Sequence, residues 1–292
     1  MSLSKFLHNP QYIGKVAEYG PAEGRRLFEN LALQYLNEHE GYYSQVARNL
    51  SYFELPSDKT AVESAVKHIG LHYHEKFLSF GKPPSFYPEF HQRIQKSDDV
   101  IEEILQRQQE QKACIILSTH FGGMALIPGV LNSCKLELSS IIRFPSEAFK
   151  QLIMSKHEHV IETLGYGRTK FFEVDKQPIM ELAFGLKDGE TFFSVLDEHT
   201  PFSIDVNFLG KTIHGGAGID KIIDFIGPDE VNLYFTVMPR VADTYRLDIH
   251  RVDLSRESFV QDMFNLYEKY VSEQFEQWFF IQEVHENMPE QG

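Results

Sequence analysis

The sequence predicts an α/β protein in which a central, mostly parallel or mixed sheet is flanked by helices. Three observations predict it: a front section of about 110 residues patterned for helices, a change of hydrophobic period at ACIILST, and an alternation of short apolar runs with amphipathic segments thereafter. In GPAEGRRLFENLALQYLNEH the residues Leu27, Leu31, Leu33 and Leu36 recur at near-helical spacing. AVESAVKHIGLHYHEKFLSF repeats the pattern after a proline break, and DDVIEEILQRQQEQK forms a further amphipathic helix. The next run, CIILST, is short and isoleucine-rich, as a buried strand is. IPGVLNS then reads as a helix, LELSSIIRF as a strand, EAFKQLIMSKHEHVIETLG as a helix, KFFEV as a strand, PIMELAFGLKDG as a helix and TFFSVLDEH as a strand. VNFLGKTIHG reads as a short extended excursion, GIDKIIDFIG as a helix, VNLYFTVMPR and YRLDIHRV as paired strands, and SFVQDMFNLYEKYVSEQFEQWFFIQ as one long helix. No linker rich in Gly, Ser or Pro divides the chain, so a single domain over 1–292 is expected, with 1–110 as helical front section and 111–292 as α/β core and C-terminal helix.

Composition narrows the function classes. No stretch approaches the roughly 20 apolar residues that cross a bilayer, and MSLSKFLHNPQYIGK has no signal-peptide core, so a cytoplasmic chain without an integral membrane anchor is expected. With Cys114 and Cys134 the only cysteines, a disulfide scaffold and a four-cysteine zinc site are excluded. A formal charge of -14 argues against nucleic acid and anionic membranes as partners. The best local basic patch runs from Arg143 to Lys170, although a solvated helix face explains it better. His68, His72 and His74, and the pair His157 and His159, lack a clear further ligand, and packing explains them better than a metal.

In open α/β sheets reactive groups gather beyond the carboxyl ends of strands. Two segments meet that condition. ILSTHFGG puts His120 just past a strand, beside Gly122 and Gly123, which permit close approach of a ligand. VLDEHTPF puts Asp197, Glu198 and His199 at the end of another, where three ionisable side chains in succession are poorly explained by folding.

Taken with RNLSYFELP near Arg48 and Asn49, SSIIRFPS with Arg143 and Pro145, NFLGKTIHGGAGIDKI with Phe208, Gly210 and Gly216, VMPR at Pro239, YRL at Tyr245 and EQWFFIQ with Trp278, these blocks follow a familiar order. Over roughly residues 25 to 283 the chain resembles the lipid A acyltransferases of the lysophospholipid acyltransferase superfamily. The resemblance implies a lysophospholipid acyltransferase-like fold and His120 as the base that deprotonates an acceptor. It also implies an acyl thioester donor, carried on the phosphopantetheine of an acyl or peptidyl carrier protein or on coenzyme A, with no other cofactor and no metal. Arg143, Gly122, Gly123, His199 and Gly216 are expected to line the substrate site.

The departures matter as much. The family's histidine is followed five residues later by Asp or Glu, and here that position is Ala125. Without a carboxylate nothing fixes the imidazole tautomer or stabilises the imidazolium. Three readings follow: Glu198 first, or Asp197 second, replaces the acid; the acceptor is an amine, which attacks in its neutral form; or catalysis is lost and acyl or carrier-protein binding remains. The segment before Arg48 also lacks the membrane helix of lipid A enzymes, which weakens a lipid-like acceptor. The expectation is therefore transfer from a thioester to a small, amine-bearing acceptor. Its rivals are a noncatalytic binder, an O-acyltransferase using Glu198 or Asp197, and a thioester hydrolase. HGGAG at His214–Gly218 is similar to a lipase oxyanion loop, but no GxSxG accompanies it, and a turn into the next helix is the simpler reading.

Overall fold

The computed structural model describes residues 2–142, 146–173, 178–216 and 218–284. Six helices open the chain: α1 (Leu3–Leu7), α2 (Pro10–Glu18), α3 (Pro21–Glu38), α4 (Glu40–Tyr52), α5 (Lys59–Gly81) and α6 (Tyr87–Gln92). Their starts are local. Asn9 and Asp58 cap α2 and α5 by accepting first-turn amides, and Pro10 and Pro21 take first helical positions, where a missing N–H is harmless. In α5, 15 of 23 residues are buried, which makes it a central helix covered on several sides rather than a surface one. Gly70 allows α3 to cross it closely, since a Cβ there would stand 2.6 Å from the Phe28 carbonyl oxygen.

The remainder alternates as predicted: β1 (Gln95–Lys96), α7 (Asp98–Gln109), β2 (Ala113–Ser118), α8 (Ile127–Ser133), β3 (Leu138–Ile142), α9 (Glu147–Leu164), β4 (Thr169–Glu173), α10 (Pro178–Lys187), β5 (Thr191–Val195), β6 (Ile204–Phe208), β7 (Lys211–Gly215), α11 (Ile219–Ile226), β8 (Val231–Val237), β9 (Arg240–Val241), β10 (Thr244–Val252) and α12 (Phe259–Glu273). The main sheet has the order β1-β10-β8-β2-β5-β3-β4. It is parallel from β8 to β4, and β10 runs antiparallel to β8. The chain is thus mixed α/β with a central, mostly parallel sheet flanked by helices. All six residues of β2 are buried, which is why its sequence is apolar up to Ser118 rather than alternating. Phe28, Ile69 and Phe77 of the front helices belong to the same buried cluster as Ile115, Phe121 and Phe235.

Two segments depart from the sequence expectation. The excursion VNFLGKTIHG contributes to a two-stranded sheet of its own, β6 and β7, closed by Leu209 and Gly210, both at positive φ as a tight hairpin turn requires. The long C-terminal helix ends at Glu273 and gives way to short turns over Phe275–Gln277 and Phe279–Gln282. Local helix preference loses there to the burial of Trp278, whose ring packs at 5.1 Å from Phe53 and 5.3 Å from Phe208. Among the described residues no helix is long and apolar enough to cross a membrane.

The clustered histidines face different surroundings. His68 Nδ1 lies 3.0 Å from Arg240, His72 stacks on Phe279, and the His74 ring lies 5.7 Å from Phe28. His157 packs against Phe171, while His159 is exposed. Burial pushes His68 and His74 down to about 3, and His91 and His157 down to about 4. These folded values lie below the unfolded value of 6.5, so their contribution to stability is present above pH 6.5 and is lost as pH falls toward 4 and 3. Urea unfolding midpoints measured between pH 7 and pH 4 should fall accordingly.

Candidate active site

Strand register builds the site. Ser118 of β2 pairs with Val195 of β5, and the Leu196 amide donates to the Ser118 carbonyl oxygen. Two residues beyond each strand, His120 meets Asp197. Oδ2 of Asp197 accepts the His120 backbone N–H at 2.7 Å and Oδ1 accepts from imidazole Nδ1 at 2.9 Å. The carboxylate thus grips both the main chain and the ring, which fixes the ring's orientation. Nδ1 carries the proton in the neutral ring, and Nε2 presents the lone pair. Tyr267 of α12 donates to Asp197 Oδ2 at 3.4 Å. Burial, reinforced by the Asp197 charge, raises the Tyr267 pKa well above its ordinary value, so it stays a donor.

The carboxylate that hydrogen-bonds the His120 ring is therefore Asp197, the second candidate, and not Glu198. Asp197 is 3% exposed, whereas the Glu198 side chain is 56% exposed and its Oε1 stands 3.7 Å from Nε2, beyond hydrogen-bond length. Ala125 lies in the short turn Met124–Leu126. The carboxylate in contact with His120 thus comes from the end of the neighbouring strand β5 rather than from the histidine's own turn.

Opposed influences act on His120. Burial favours the neutral ring, but the charge and hydrogen bond of Asp197, followed by the charges of Glu198 and Glu283, outweigh it and raise the pKa above 6.5. The Phe280 ring lies 4.8 Å and the Phe279 ring 5.8 Å from the imidazole, and Phe279 N–H donates to the His120 carbonyl oxygen at 2.9 Å. The segment bearing them is held by α4: Asn49 Nδ2 and Gln45 Nε2 donate to the carbonyl oxygens of Ile281 and Gln282, each at 2.6 Å, and Tyr42 donates to the Gln282 side chain at 2.8 Å. Asn49 thus acts on the segment packed against His120, whereas Arg48 is exposed.

The amides of the three glycines are engaged within the fold. Gly122 N–H donates to the Gln277 carbonyl oxygen at 3.1 Å and Gly123 N–H to that of Met238 at 2.7 Å, and both residues are buried. At Gly122 φ is +58°, and a Cβ would stand 2.1 Å from the Met238 carbonyl oxygen. Gly216 spends its N–H on the Leu196 carbonyl oxygen and so ties the β6–β7 hairpin to the strand end before Asp197. Of the HGGAG stretch, His214 and Gly215 belong to β7 and Gly218 stands at the N-cap of α11. His199 is exposed and stacks on His214 at 5.3 Å. Arg143 and Pro145 lie outside the described residues. The rest of the basic stretch is mixed in sign: Lys150 faces Glu147 and Lys170 faces Glu190.

Sequence reasoning missed a buried network below the turn. Arg240 donates to both carboxylate oxygens of Glu75, at 2.6 and 2.7 Å, and to the Gly122 carbonyl oxygen at 2.8 Å, and Tyr245 donates to Glu75 at 2.9 Å. Only the apolar setting of Glu75 in α5 hinted at it. A groove of 490 Å³ lined by Glu103, Arg107, Tyr234 and Arg251 opens toward the opposite ends of the strands, and the paired histidine and aspartate make the His120 end the better candidate for chemistry. Searches against protein-family models and against the curated proteins return no match to this chain.

Proposed function

We propose that the chain is an acyltransferase that moves an acyl group from a thioester to a small hydroxyl-bearing acceptor, with His120 as general base and Asp197 as its partner. The observation that carries this reading is the contact of Asp197 with His120 Nδ1, which leaves Nε2 as the basic atom. The resemblance of the sequence blocks to the lipid A acyltransferases supports it, and so does a fold with both groups at the carboxyl ends of adjacent parallel strands. A lysophospholipid acyltransferase-like fold, and a donor on a carrier protein or coenzyme A, belong to the same proposal. The preference for an amine acceptor rested on a missing acid. With Asp197 in place that reason is gone, and a hydroxyl, which needs its proton removed during attack, makes full use of the dyad.

The test is release of thiol from a panel of acyl-coenzyme A and acyl-carrier-protein donors, with and without hydroxyl and amine acceptors. Acceptor-dependent release with a hydroxyl is expected. Release without acceptor would instead identify a hydrolase, preference for amines would overturn the acceptor, and absence of turnover throughout would remove the enzyme reading. In the same assay Glu198→Ala should change the rate less than about 3-fold, since an exposed carboxylate adds little. It should also lower the His120 pKa slightly, because the Glu198 charge helps to raise it.

A further inference from the structure

Attack on a thioester turns the carbonyl oxygen into an oxyanion, which requires donors aimed at it. The nearby amides do not provide them, because those of His120, Gly122 and Gly123 in the His120 turn, and of Gly216 beyond β7, are all engaged within the fold. The guanidinium of Arg240 is likewise occupied by Glu75 and the Gly122 carbonyl.

A different side chain answers the need. His72, on α5, has its ring centroid 6.1 Å from that of His120 and is only 7% exposed. Phe279 lies 4.0 Å from one side of its ring, and Tyr73 meets it edge-on at 5.7 Å. Its Nδ1 has no hydrogen-bond partner among the described residues. Leaving a buried polar atom unpaired costs about 1–3 kcal/mol, and a phenylalanine would pack on Phe279 without that cost. An imidazole retained here, beside the histidine of the dyad, points to a ligand oxygen.

We propose that His72 hydrogen-bonds the carbonyl oxygen of the acyl donor and stabilises it as an oxyanion while His120 takes the acceptor's proton; this rests on the acyl-transfer reading. Burial, with the charges of His120, Lys76, Arg240 and His8, holds His72 neutral, its pKa well below 6.5. A neutral imidazole donates an N–H yet does not compete with His120 for the acceptor's proton, and an imidazolium forming at His120 disfavours protonation of His72 further. The two histidines thereby hold separate roles, one base and one donor. In the step itself, the acceptor O–H bond breaks and its proton passes to His120 Nε2. The acceptor oxygen bonds to the carbonyl carbon, and the carbonyl π pair moves onto the oxygen held by His72. Collapse restores the carbonyl, breaks the carbon–sulfur bond and expels the thiolate, which takes the proton back from His120.

The experiment compares His72→Phe, which keeps an aromatic ring on Phe279, with His72→Gln, which keeps a donor. In the thiol-release assay His72→Phe should lower kcat about 10²–10³-fold with KM for the thioester little changed, and His72→Gln should recover part of the loss. Wild-type kcat in His72→Phe would overturn the proposal and leave acyl transfer standing. A second arm needs no turnover: sodium octanoate, whose carboxylate oxygens accept hydrogen bonds, is titrated while the imidazole nitrogens are followed by ¹⁵N NMR. The His72 resonances should move in the wild type and in His120→Ala, and binding should weaken in His72→Phe. Unmoved His72 resonances would overturn the proposal. Octanoate bound at His72 in a protein that turns over no thioester would instead refute acyl transfer, and with it the catalytic role.

Discussion

Asp197→Asn is expected to lower the proposed acyl transfer about 10⁴-fold, the loss that follows when the aspartate of a Ser-His-Asp triad is made an amide, and His120→Ala to abolish it. Asparagine keeps the shape and can still accept the His120 backbone N–H, so near-native circular dichroism is expected. What changes is the atom facing Nδ1. An amide NH₂ there donates rather than accepts, which favours the tautomer with the proton on Nε2 and removes the lone pair from the reacting side. The imidazolium formed during transfer also loses its counter-charge.

The same variant shifts the pH profile in a defined direction. In the wild type the base form of His120 appears as pH rises through a pKa raised above 6.5, so the acid limb of the rate should lie above that value. In Asp197→Asn the charge and hydrogen bond that raise it are gone while burial, which lowers it, remains. The residual activity should therefore titrate at lower pH, and NMR titration of the His120 ring should report the same movement. Stability runs the other way in the wild type. With the folded pKa above the unfolded one, the dyad's contribution is fully present below pH 6.5 and is lost as pH rises through the folded value. An acid limb that stays in place in Asp197→Asn would show that Asp197 does not set the basicity of His120.

Glu75→Leu will destabilise the fold by about 3–5 kcal/mol, the cost of leaving one charge of a buried pair without its partner. Glu75 is fully buried and Arg240 is 5% exposed, so water cannot take over. For a chain of this size that corresponds to a Tm lowered on the order of 10 °C, measurable by calorimetry. The double variant Glu75→Leu/Arg240→Met removes both charges and should recover most of the loss, since apolar replacements of buried pairs are often neutral or better. Its remaining defect should appear at His120, because Arg240 also holds the Gly122 carbonyl. If Glu75→Leu were as stable as the wild type, the pair would not be the strut its geometry implies.

Patterns with a short period were legible in the sequence. The near-helical spacing of Leu27, Leu31 and Leu36, the change of period at CIILST and the alternation that follows are properties of neighbouring residues, and the elements they predict are present. His120 stood out for the same reason, as a histidine between a strand and a glycine turn. The end of α12 was not legible. Nothing local stops a helix in QFEQWFF, and the break comes from Trp278 packing against Phe53 and Phe208, two residues remote in sequence.

By itself the sequence determined the α/β class, the strand-end position of His120 and the absence of a carboxylate five residues after it, at Ala125. Only the tertiary structure showed which of Asp197 and Glu198, neighbours in sequence, is buried and hydrogen-bonded to the His120 ring. It likewise brought His72 of α5 beside His120 and bound Glu75 to Arg240, 165 residues apart. The reason is physical. Helix and strand periods are written within a few residues, whereas the partner of a side chain depends on which strands are neighbours and in what register, and register is set by the packing of the whole sheet.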